Sequence, residues 1–255
     1  MPSPLVLHIP HSSVRIPEEH RALILLDDEA LARELHRLTD WFTDDLFDVP
    51  GCEKVLFPTS RLILDPERFI DDADEVLASR GMGVIYTHTT SGGILRETPS
   101  PADREALIGD YYTPHHIRLT SAVDQALVAH DGCLVIDCHS FPSVPHPYEL
   151  EQTMDRPTIC LGTDSFHTPA WLLENAADAF EACGMRVAIN RPFSGALVPN
   201  KHFGQDPRVL ACMVEVNRAA YMDEVTGLKS ASFPAVKAAI RHVIGLLGEA
   251  WRNNH

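Results

Sequence analysis

Apolar residues along the chain form short runs that alternate with longer stretches in which they recur every three or four positions. Short apolar runs bounded by Pro, Gly or polar residues are typical of buried strands, and the longer spacing is typical of helices that pack through one face. The runs predict strands over residues 5–9, 54–57, 61–64, 83–87, 132–137, 158–162, 185–189 and 209–216. The spacing predicts helices over residues 27–46, 100–130, 169–183 and 232–253.

The predicted strands and helices alternate, and no Ser-rich or Gly-rich linker, internal repeat or low-complexity segment separates them. Such alternation is typical of α/β proteins, in which helices cover a largely parallel sheet. We therefore expect residues 1–255 to form a single α/β domain with a mixed, mostly parallel sheet flanked by helices. In such sheets, ligands bind at the carboxyl ends of the strands.

Three of the predicted strands end in side chains that can carry chemistry. These side chains are, in chain order, His8, His11, Asp137, His139 and Glu215. Because the carboxyl ends of parallel strands meet at one edge of a sheet, we expect the five side chains to converge there.

Charge and composition exclude several classes of function. The 255 residues include 36 acidic and 21 basic side chains, so the formal net charge is −15 with histidines neutral. Nucleic acids and anionic membranes are bound through clustered Lys and Arg, and this balance argues against both as partners. No apolar run is long enough to cross a membrane, and no signal-peptide pattern opens the chain. The six cysteines form no Cys-x-x-Cys pair, which is typical of buried thiols in a cytoplasmic protein.

His11 and His139 are the first candidates for a metal site, in a chain unusually rich in histidine. Two imidazoles at neighbouring strand ends can supply half of the coordination shell of Zn²⁺, and a catalytic zinc site has three protein ligands and an open position. The third ligand is either His8 or Asp40, an acidic position in an otherwise apolar helical stretch. The alternative is that each histidine only caps its strand through backbone hydrogen bonds.

Glu215 is the charged residue within the apolar run over 209–216. A carboxylate in that position can serve a hydrolase as general base and then as general acid. The alternative is an ion pair with Arg218 or another cation. Asp137 lies two residues before His139, so strand alternation places both on the same face, where Asp137 can orient a ligand histidine.

Arg61 and Arg68 are candidates for binding a substrate carboxylate, because a guanidinium pairs with a carboxylate through two parallel hydrogen bonds. The alternative is that both form structural salt bridges. The acidic partners available for such bridges nearby are Asp65, Glu67, Asp71 and Asp72. The Gly-x-Ser-x-Gly motif of serine hydrolases and the Gly-rich phosphate-binding motifs of nucleotide-binding proteins are absent from the sequence.

Taken in order along the chain, the motifs resemble those of the N-formylglutamate amidohydrolase family. The matching stretches are IPHSS, LTDWFTDDLF, SRLILDPERFIDD, YYTPHH, LVIDCHSFPS, FSGALVPNKHFGQDP and MVEVNRAAYMDE, from residue 5 to about residue 224. The resemblance implies an α/β fold like that of the zinc carboxypeptidases. It also implies metal-dependent hydrolysis of an N-acyl amino acid, a small substrate that carries a carboxylate.

The resemblance implies a metal-ligand set as well. The pairs His11–Ser12 and His139–Ser140 resemble the metal-binding pairs of the zinc carboxypeptidases, in which a glutamate shortly after the first histidine completes the shell. Val14 occupies the corresponding position in this chain, so the third ligand must come from elsewhere. Asp40, in the Asp-Trp stretch of the family, is the residue that we expect to supply it.

For the remaining site residues, the arginine pattern of the family implies that Arg61 and Arg68 bind the carboxylate of the substrate. The late glutamate of the family implies that Glu215 is the general base. The sequence departs from the family at residues 10–13, 65–68 and 195–199, all in pocket loops.

Glu67 is the departure with the clearest chemical consequence, because the family commonly has Asp-Leu-Asn-Arg where this chain has Asp-Pro-Glu-Arg. A carboxylate at Glu67 beside the arginines would repel an acidic substrate or favour a cationic group. The sequence therefore determines the class of reaction better than the substrate. A metallo-exopeptidase and a non-catalytic binding protein on the same fold are the alternatives.

Overall fold

The computed structural model describes residues 3–254, whose central feature is a six-stranded sheet in the order β2-β1-β3-β6-β4-β5. Its strands are β1 Leu5–Ile9, β2 Glu53–Leu56, β3 Cys133–Phe141, β4 Ile159–Gly162, β5 Val187–Ile189 and β6 Val209–Asn217. A separate two-stranded ribbon is formed by β7 Met222–Asp223 and β8 Leu228–Lys229.

Four neighbouring strands of the sheet, β2, β1, β3 and β6, are parallel. Strand β4 pairs antiparallel with β6, and β5 is parallel to β4. The prediction of a mixed, mostly parallel sheet flanked by helices is therefore confirmed. Because β1, β3 and β6 are adjacent, their carboxyl ends lie side by side, with His8 opposite Asp137 and His139 opposite Glu215 in the register.

Helices cover both faces of the sheet. They are α1 Glu18–Arg21, α2 Asp28–Leu38, α3 Thr43–Leu46, α4 Pro101–Leu107, α5 Thr113–His130, α6 Ala170–Ala182 and α7 Phe233–Asn254. A π-helical turn over Ile108–Tyr112 joins α4 to α5, and 3-10 turns occupy Val76–Arg80 and Arg218–Ala220. Within residues 3–254, no helix combines the length and the apolar character needed to cross a bilayer.

Strand alternation explains which side of the sheet carries the site. Val6 and Val135 pack in an apolar cluster with α5, whereas Leu7 and Ile136 pack with α6 and α7 on the opposite face. Successive side chains of a strand point to opposite faces. The polar residues two positions after Val6 and Val135, which include His8, therefore continue the face that α5 covers, beyond the apolar cluster.

Two predicted elements around Asp40 and His139 differ from the structure. The helix predicted over 27–46 is broken after α2, where Phe42 adopts a left-handed backbone with φ of 63° and the backbone N–H of Asp40 donates to the carbonyl oxygen of His11 (2.9 Å). No Gly or Pro marks this break in the sequence. Strand β3 extends to Phe141, so His139 lies within the strand and not beyond its end.

The strands predicted over 61–64 and 83–87 are wrong. These runs are buried turns that pack against each other and α2 in a second apolar cluster, outside the sheet. The cluster completely buries Leu62, Ile63 and Leu64. Periodicity failed here because a short apolar run indicates burial but does not distinguish a strand from a buried turn.

All six cysteines are free thiols, and four of them are buried, as the sequence predicted: Cys133, Cys138, Cys160 and Cys212. That the whole chain forms one catalytic domain stays a prediction.

Gly162, at the end of β4, provides a test of the packing between the sheet and the loop that follows β5. A Cβ atom at this position would overlap the carbonyl oxygen of Gly195 and the side chain of Met213. We expect Gly162→Ala to lower the free energy of unfolding by about 1–3 kcal/mol, the usual cost of overpacking. Urea unfolding followed by circular dichroism measures this change.

Gly245→Ala is the matched control, because Gly245 lies on the exposed side of α7 with open space around its Cβ position. Alanine is a better helix former than glycine by about 1 kcal/mol, so this variant should be as stable as the wild type or more stable. Equal stability of Gly162→Ala and the wild type would contradict the packing described here.

Candidate active site

A cavity of about 520 Å³ opens at the carboxyl ends of β1, β3 and β6. Its wall includes most of the site residues predicted from the sequence, namely His11, Asp40, Arg61, Arg68, Asp137, His139 and Glu215, whereas His8 does not line it. These residues come from segments far apart in the chain, so the fold itself brings them together.

His11 follows β1 directly after Pro10, and its ring is 2 % exposed. Its Nε2 atom lies 2.9 Å from Oδ1 of Asp65. Its Nδ1 atom is buried and has no hydrogen-bond partner among the described residues. A buried polar atom without a partner is costly, so this nitrogen is available to a ligand.

His139 lies between three carboxylates. Its Nδ1 atom is 3.2 Å from Oδ2 of Asp40, and its Nε2 atom is 3.1 Å from both Oδ1 of Asp137 and Oε2 of Glu67. Burial alone would lower the pKa of His139, but the charges of Glu67 and Asp137 raise it well above its ordinary value. Both nitrogens of this ring therefore lie against acidic oxygens.

Asp40 reaches the cavity because the chain breaks between α2 and α3. One of its oxygens, Oδ1, accepts from Nη2 of Arg218 at 3.1 Å, and the other, Oδ2, accepts from the backbone N–H of Ser140 at 3.2 Å. The same Oδ2 atom lies 3.7 Å from Nδ1 of His11. Burial alone would raise the pKa of Asp40, but His11, His139 and Arg218 together lower it, so the residue is an anion in this site.

Glu67 takes a position that the sequence did not predict. Its carboxylate lies near His8 (3.4 Å), His11 (3.7 Å) and His139 (3.1 Å). Potential ligand atoms of His11, Glu67 and His139 all lie within 4.8 Å of one another. No ion pair joins Glu67 to Arg61 or Arg68 among residues 3–254, so its charge acts first on the histidines. The departure from the family at residues 65–68 drew attention to Glu67, but it indicated a place beside the arginines and not among the histidines.

His8, the other candidate for a third ligand, lies deeper than His11. Its Nδ1 atom is 2.8 Å from Oδ1 of Asp137, and its Nε2 atom is 2.8 Å from Nε2 of His115 on α5. Burial alone would lower the pKa of His8, but Asp137 and Glu67 raise it to about 9. The hydrogen bond from His8 therefore fixes the position of the Asp137 carboxylate. Potential ligand atoms of His8, Glu67 and Asp137 also lie within 4.8 Å of one another.

Glu215 is 7 % exposed, and its Oε2 atom is buried without a hydrogen-bond partner in the described part of the chain. Burial raises the pKa of Glu215 to about 8. The ion pair with Arg218 that the sequence left open is not formed in residues 3–254, because Arg218 pairs with Asp40 instead. Glu215 is therefore a carboxylate placed beside His139 with an oxygen free to accept a proton.

Arg61 and Arg68 differ in how many of their N–H donors already form hydrogen bonds within the protein. Arg61 binds Oδ2 of Asp65 through Nη2 at 2.7 Å, and its Nε atom donates to the hydroxyl of Tyr86 at 3.0 Å. Arg68 has a buried Nε without a hydrogen-bond partner among the described residues, and carboxylate oxygens of Asp65 and Glu75 lie 3.9 and 4.0 Å away. Arg68 therefore has donors available at the cavity, whereas Arg61 is largely committed to Asp65.

Comparisons with known proteins identify the family and the fold of the chain. The sequence profile of the N-formylglutamate amidohydrolase family matches residues 3–222 of the chain. The crystal structure of an N-formylglutamate amidohydrolase from Ralstonia eutropha JMP134 superposes with a TM-score of 0.85 at 23% sequence identity, covering 100% of this chain and 96% of that chain. A gene product from Agrobacterium tumefaciens superposes with a TM-score of 0.68 at 18% identity, covering 99% of this chain and 91% of that chain. A search of curated proteins gave no match.

Asp65 is the residue whose removal best tests the buried charge network. Burial alone would raise its pKa, but Arg61, His11 and Arg68 lower it well below the ordinary value. We expect Asp65→Asn to destabilise the metal-free protein by about 3–5 kcal/mol near neutral pH, because Arg61 is left as a buried, uncompensated cation. Urea unfolding in the presence of a chelator measures the change.

The pH dependence gives a second, independent readout. A carboxyl group with a folded pKa below its unfolded value of about 3.9 stabilises the protein above that value and loses this contribution as the pH falls below it. The difference in free energy of unfolding between the wild type and Asp65→Asn should therefore become smaller as the pH is lowered below 5. Asp28→Asn is the control, because the Asp28 side chain is 97% exposed. A pH-independent difference would contradict the assigned charge state of Asp65.

Proposed function

Because the chain belongs to the N-formylglutamate amidohydrolase family, we propose that it is a metal-dependent amidohydrolase that cleaves the amide bond of an N-acyl amino acid such as N-formylglutamate. The observation that carries this proposal is the convergence of His11, His139 and the unpartnered carboxylate of Glu215 in one cavity. Two imidazoles and a free carboxylate are the components that a metal-assisted hydrolase requires.

The ligand set that we propose for zinc is His11, Asp40 and His139, whose imidazoles and carboxylate are groups that zinc prefers. Oδ2 of Asp40 lies 3.7 Å from Nδ1 of His11 and 3.2 Å from Nδ1 of His139. Glu67 is the alternative third ligand, because potential ligand atoms of His11, Glu67 and His139 all lie within 4.8 Å of one another. When bound, zinc supplies a Lewis acid that polarises the scissile carbonyl group and makes water easier to deprotonate.

The opposite nitrogens of the two rings support the same assignment. Nε2 of His11 donates to Asp65, and Nε2 of His139 donates to Asp137. A histidine that binds a metal through one nitrogen usually donates its other N–H to a carboxylate, which fixes the tautomer and the orientation of the ring. Asp65 and Asp137 are therefore positioning residues, and His8 in turn holds Asp137.

Glu215 takes the proton of the attacking water and returns it to the nitrogen of the leaving amine. A carboxylate can perform both transfers when its pKa lies near the working pH, and burial raises the pKa of Glu215 in that direction. Its free Oε2 atom faces no competing donor within the described residues. The water it deprotonates then attacks the carbonyl carbon of the substrate.

Arg68 binds the carboxylate of the substrate in this proposal. Its unused donors line the same cavity as Glu215, and a guanidinium is suited to bidentate recognition of a carboxylate. Arg61 adds positive charge to the same wall. Its main role is to form a salt bridge with Asp65, which in turn accepts a hydrogen bond from His11.

Glu215→Gln is the decisive variant for this mechanism. General acid–base catalysis contributes about 10²–10⁴-fold, so turnover of N-formylglutamate by the zinc-loaded protein should fall by at least about 100-fold. Zinc content should persist, because Glu215 is not a ligand, and metal analysis of the purified variant checks this point. Glu29→Gln, on an exposed turn of α2, is the matched control. Near-normal turnover of Glu215→Gln would end its assignment as the base.

A pair of substitutions identifies the carboxylate ligand of the metal. After dialysis against a weak chelator, Asp40→Asn should lose most of its zinc, whereas Glu67→Gln should keep it, since Asp40 is the proposed ligand. His11→Ala serves as the metal-free reference, and Asp44→Asn, exposed and four residues after Asp40, is the matched control. The reverse result, with zinc lost from Glu67→Gln alone, would assign the third ligand to Glu67.

A further inference from the structure

The cavity has a charged floor and an apolar mouth. The buried histidines, carboxylates and arginines described above form the floor, whereas Phe69, Leu150 and Phe203, which we call the mouth, line the same cavity and are exposed to solvent. These three side chains are 63 %, 64 % and 51 % exposed. Large apolar side chains that are exposed together beside a binding cavity mark a surface that a ligand covers.

The three side chains come from separate segments. Phe69 directly follows Arg68, Leu150 lies between β3 and β4, and Phe203 lies between β5 and β6. None of the three belongs to the apolar clusters that form the core of the described chain. Phe203 stacks on the buried ring of His167, with ring centroids 5.8 Å apart, but its remaining surface is exposed. Packing in the apolar clusters therefore does not explain the exposed apolar surface that these loops bring to the cavity.

The size of the cavity agrees with a ligand that extends to this mouth. A volume of about 520 Å³ lies in the range that encloses drug-sized ligands. N-formylglutamate is smaller than such ligands and has no apolar group beyond two methylenes. With its carboxylate bound by Arg68 and its amide near Glu215, N-formylglutamate offers no apolar group that could cover Phe69, Leu150 and Phe203.

We propose that this site acts on N-acyl amino acids that carry an extended apolar group, and that Phe69, Leu150 and Phe203 contact that group. This inference rests on the proposed function and names its substrate class. The apolar group belongs either to the acyl portion or to the side chain of the amino acid, and both present the same chemistry to the mouth of the cavity.

Two substrate series test the proposal with the zinc-loaded protein. The first varies the acyl group on glutamate from formyl through acetyl and butanoyl to hexanoyl, and the second varies the N-formyl amino acid from alanine through norleucine to phenylalanine. We expect kcat/KM to rise by at least about tenfold along one series, mainly through KM, because each well-placed methylene contributes about tenfold or more in an apolar pocket. The series that rises identifies the portion bound at the mouth, and flat series would overturn the proposal.

Substitutions at the mouth then locate the contact. In Phe69→Ser, Leu150→Ser and Phe203→Ser, the ratio of kcat/KM for the longest to the shortest substrate of the rising series should fall at least about threefold in each variant. Val128→Ser and Val225→Ser are matched controls, because these valines are 89 % and 91 % exposed and do not line the cavity. An unchanged ratio in all three mouth variants, or an equal fall in the controls, would overturn the proposal.

Binding separates this inference from the proposed function. Calorimetric titration of the Glu215→Gln protein with N-hexanoylglutamate, N-formylnorleucine and N-formylglutamate measures affinity without turnover. The inference is supported if one of the apolar ligands binds more tightly than N-formylglutamate and the mouth substitutions weaken that binding. If the wild type at the same time hydrolyses none of the three ligands, only the proposed function is refuted. Hydrolysis of N-formylglutamate without any preference for the apolar ligands would refute only the inference.

Discussion

The need to neutralise three buried aspartates fixes the positions of the histidines on the floor of the cavity. A buried carboxylate without a partner is costly, and each of three aspartates here is met by a cation or a ring N–H. Asp65 is paired with Arg61, Asp40 with Arg218, and Asp137 with His8. The rings of His11 and His139 lie between these pairs, so the charge network sets their orientation before any ligand is bound.

The parallel pairing of β1, β3 and β6 is the reason that this network can form at all. Strand register places His8 beside Asp137 and His139 beside Glu215, each pair at neighbouring positions on one face of the sheet. This part of the site could be predicted from the sequence, because a continuous apolar run that ends in polar residues indicates both a buried central strand and the edge at which a ligand binds. Local sequence was sufficient here since the side chains lie on the strands themselves.

The positions of Asp40 and Glu67 in the cavity were harder to predict from the sequence, because both residues lie in irregular segments of the backbone. Helical spacing continues through residues 39–42, yet the chain turns there, and Phe42 adopts a left-handed conformation that costs a non-glycine residue about 1–3 kcal/mol. The turn brings the backbone N–H of Asp40 to the carbonyl of His11 and its carboxylate to His139. Local propensity is overridden at this point by tertiary contacts, as is common where a functional side chain must be placed.

Glu67 follows a segment that the apolar pattern predicted to be a strand and that the structure shows to be a buried turn. Residues 61–64 contain a short apolar run like that of a buried strand, but they are buried turns in an apolar cluster outside the sheet, and the chain that follows them lines the cavity. Its direction there is set by Asp65, whose Oδ1 atom accepts from the backbone N–H of Glu67 at 3.0 Å. A contact between residues 54 positions apart, Asp65 with His11, positions that turn, and no local pattern contains this information.

Three buried atoms in the cavity lack a hydrogen-bond partner within the described chain, and together they indicate what a ligand must supply. They are Nδ1 of His11, Nε of Arg68 and Oε2 of Glu215. Leaving such atoms unsatisfied costs stability, and a bound ligand recovers that cost. In the proposed reaction, the substrate carboxylate binds Arg68, the attacking water binds Glu215, and Nδ1 of His11 would bind the metal. The three unsatisfied atoms of the folded protein therefore correspond to the substrate, the water and the metal of the proposed hydrolysis.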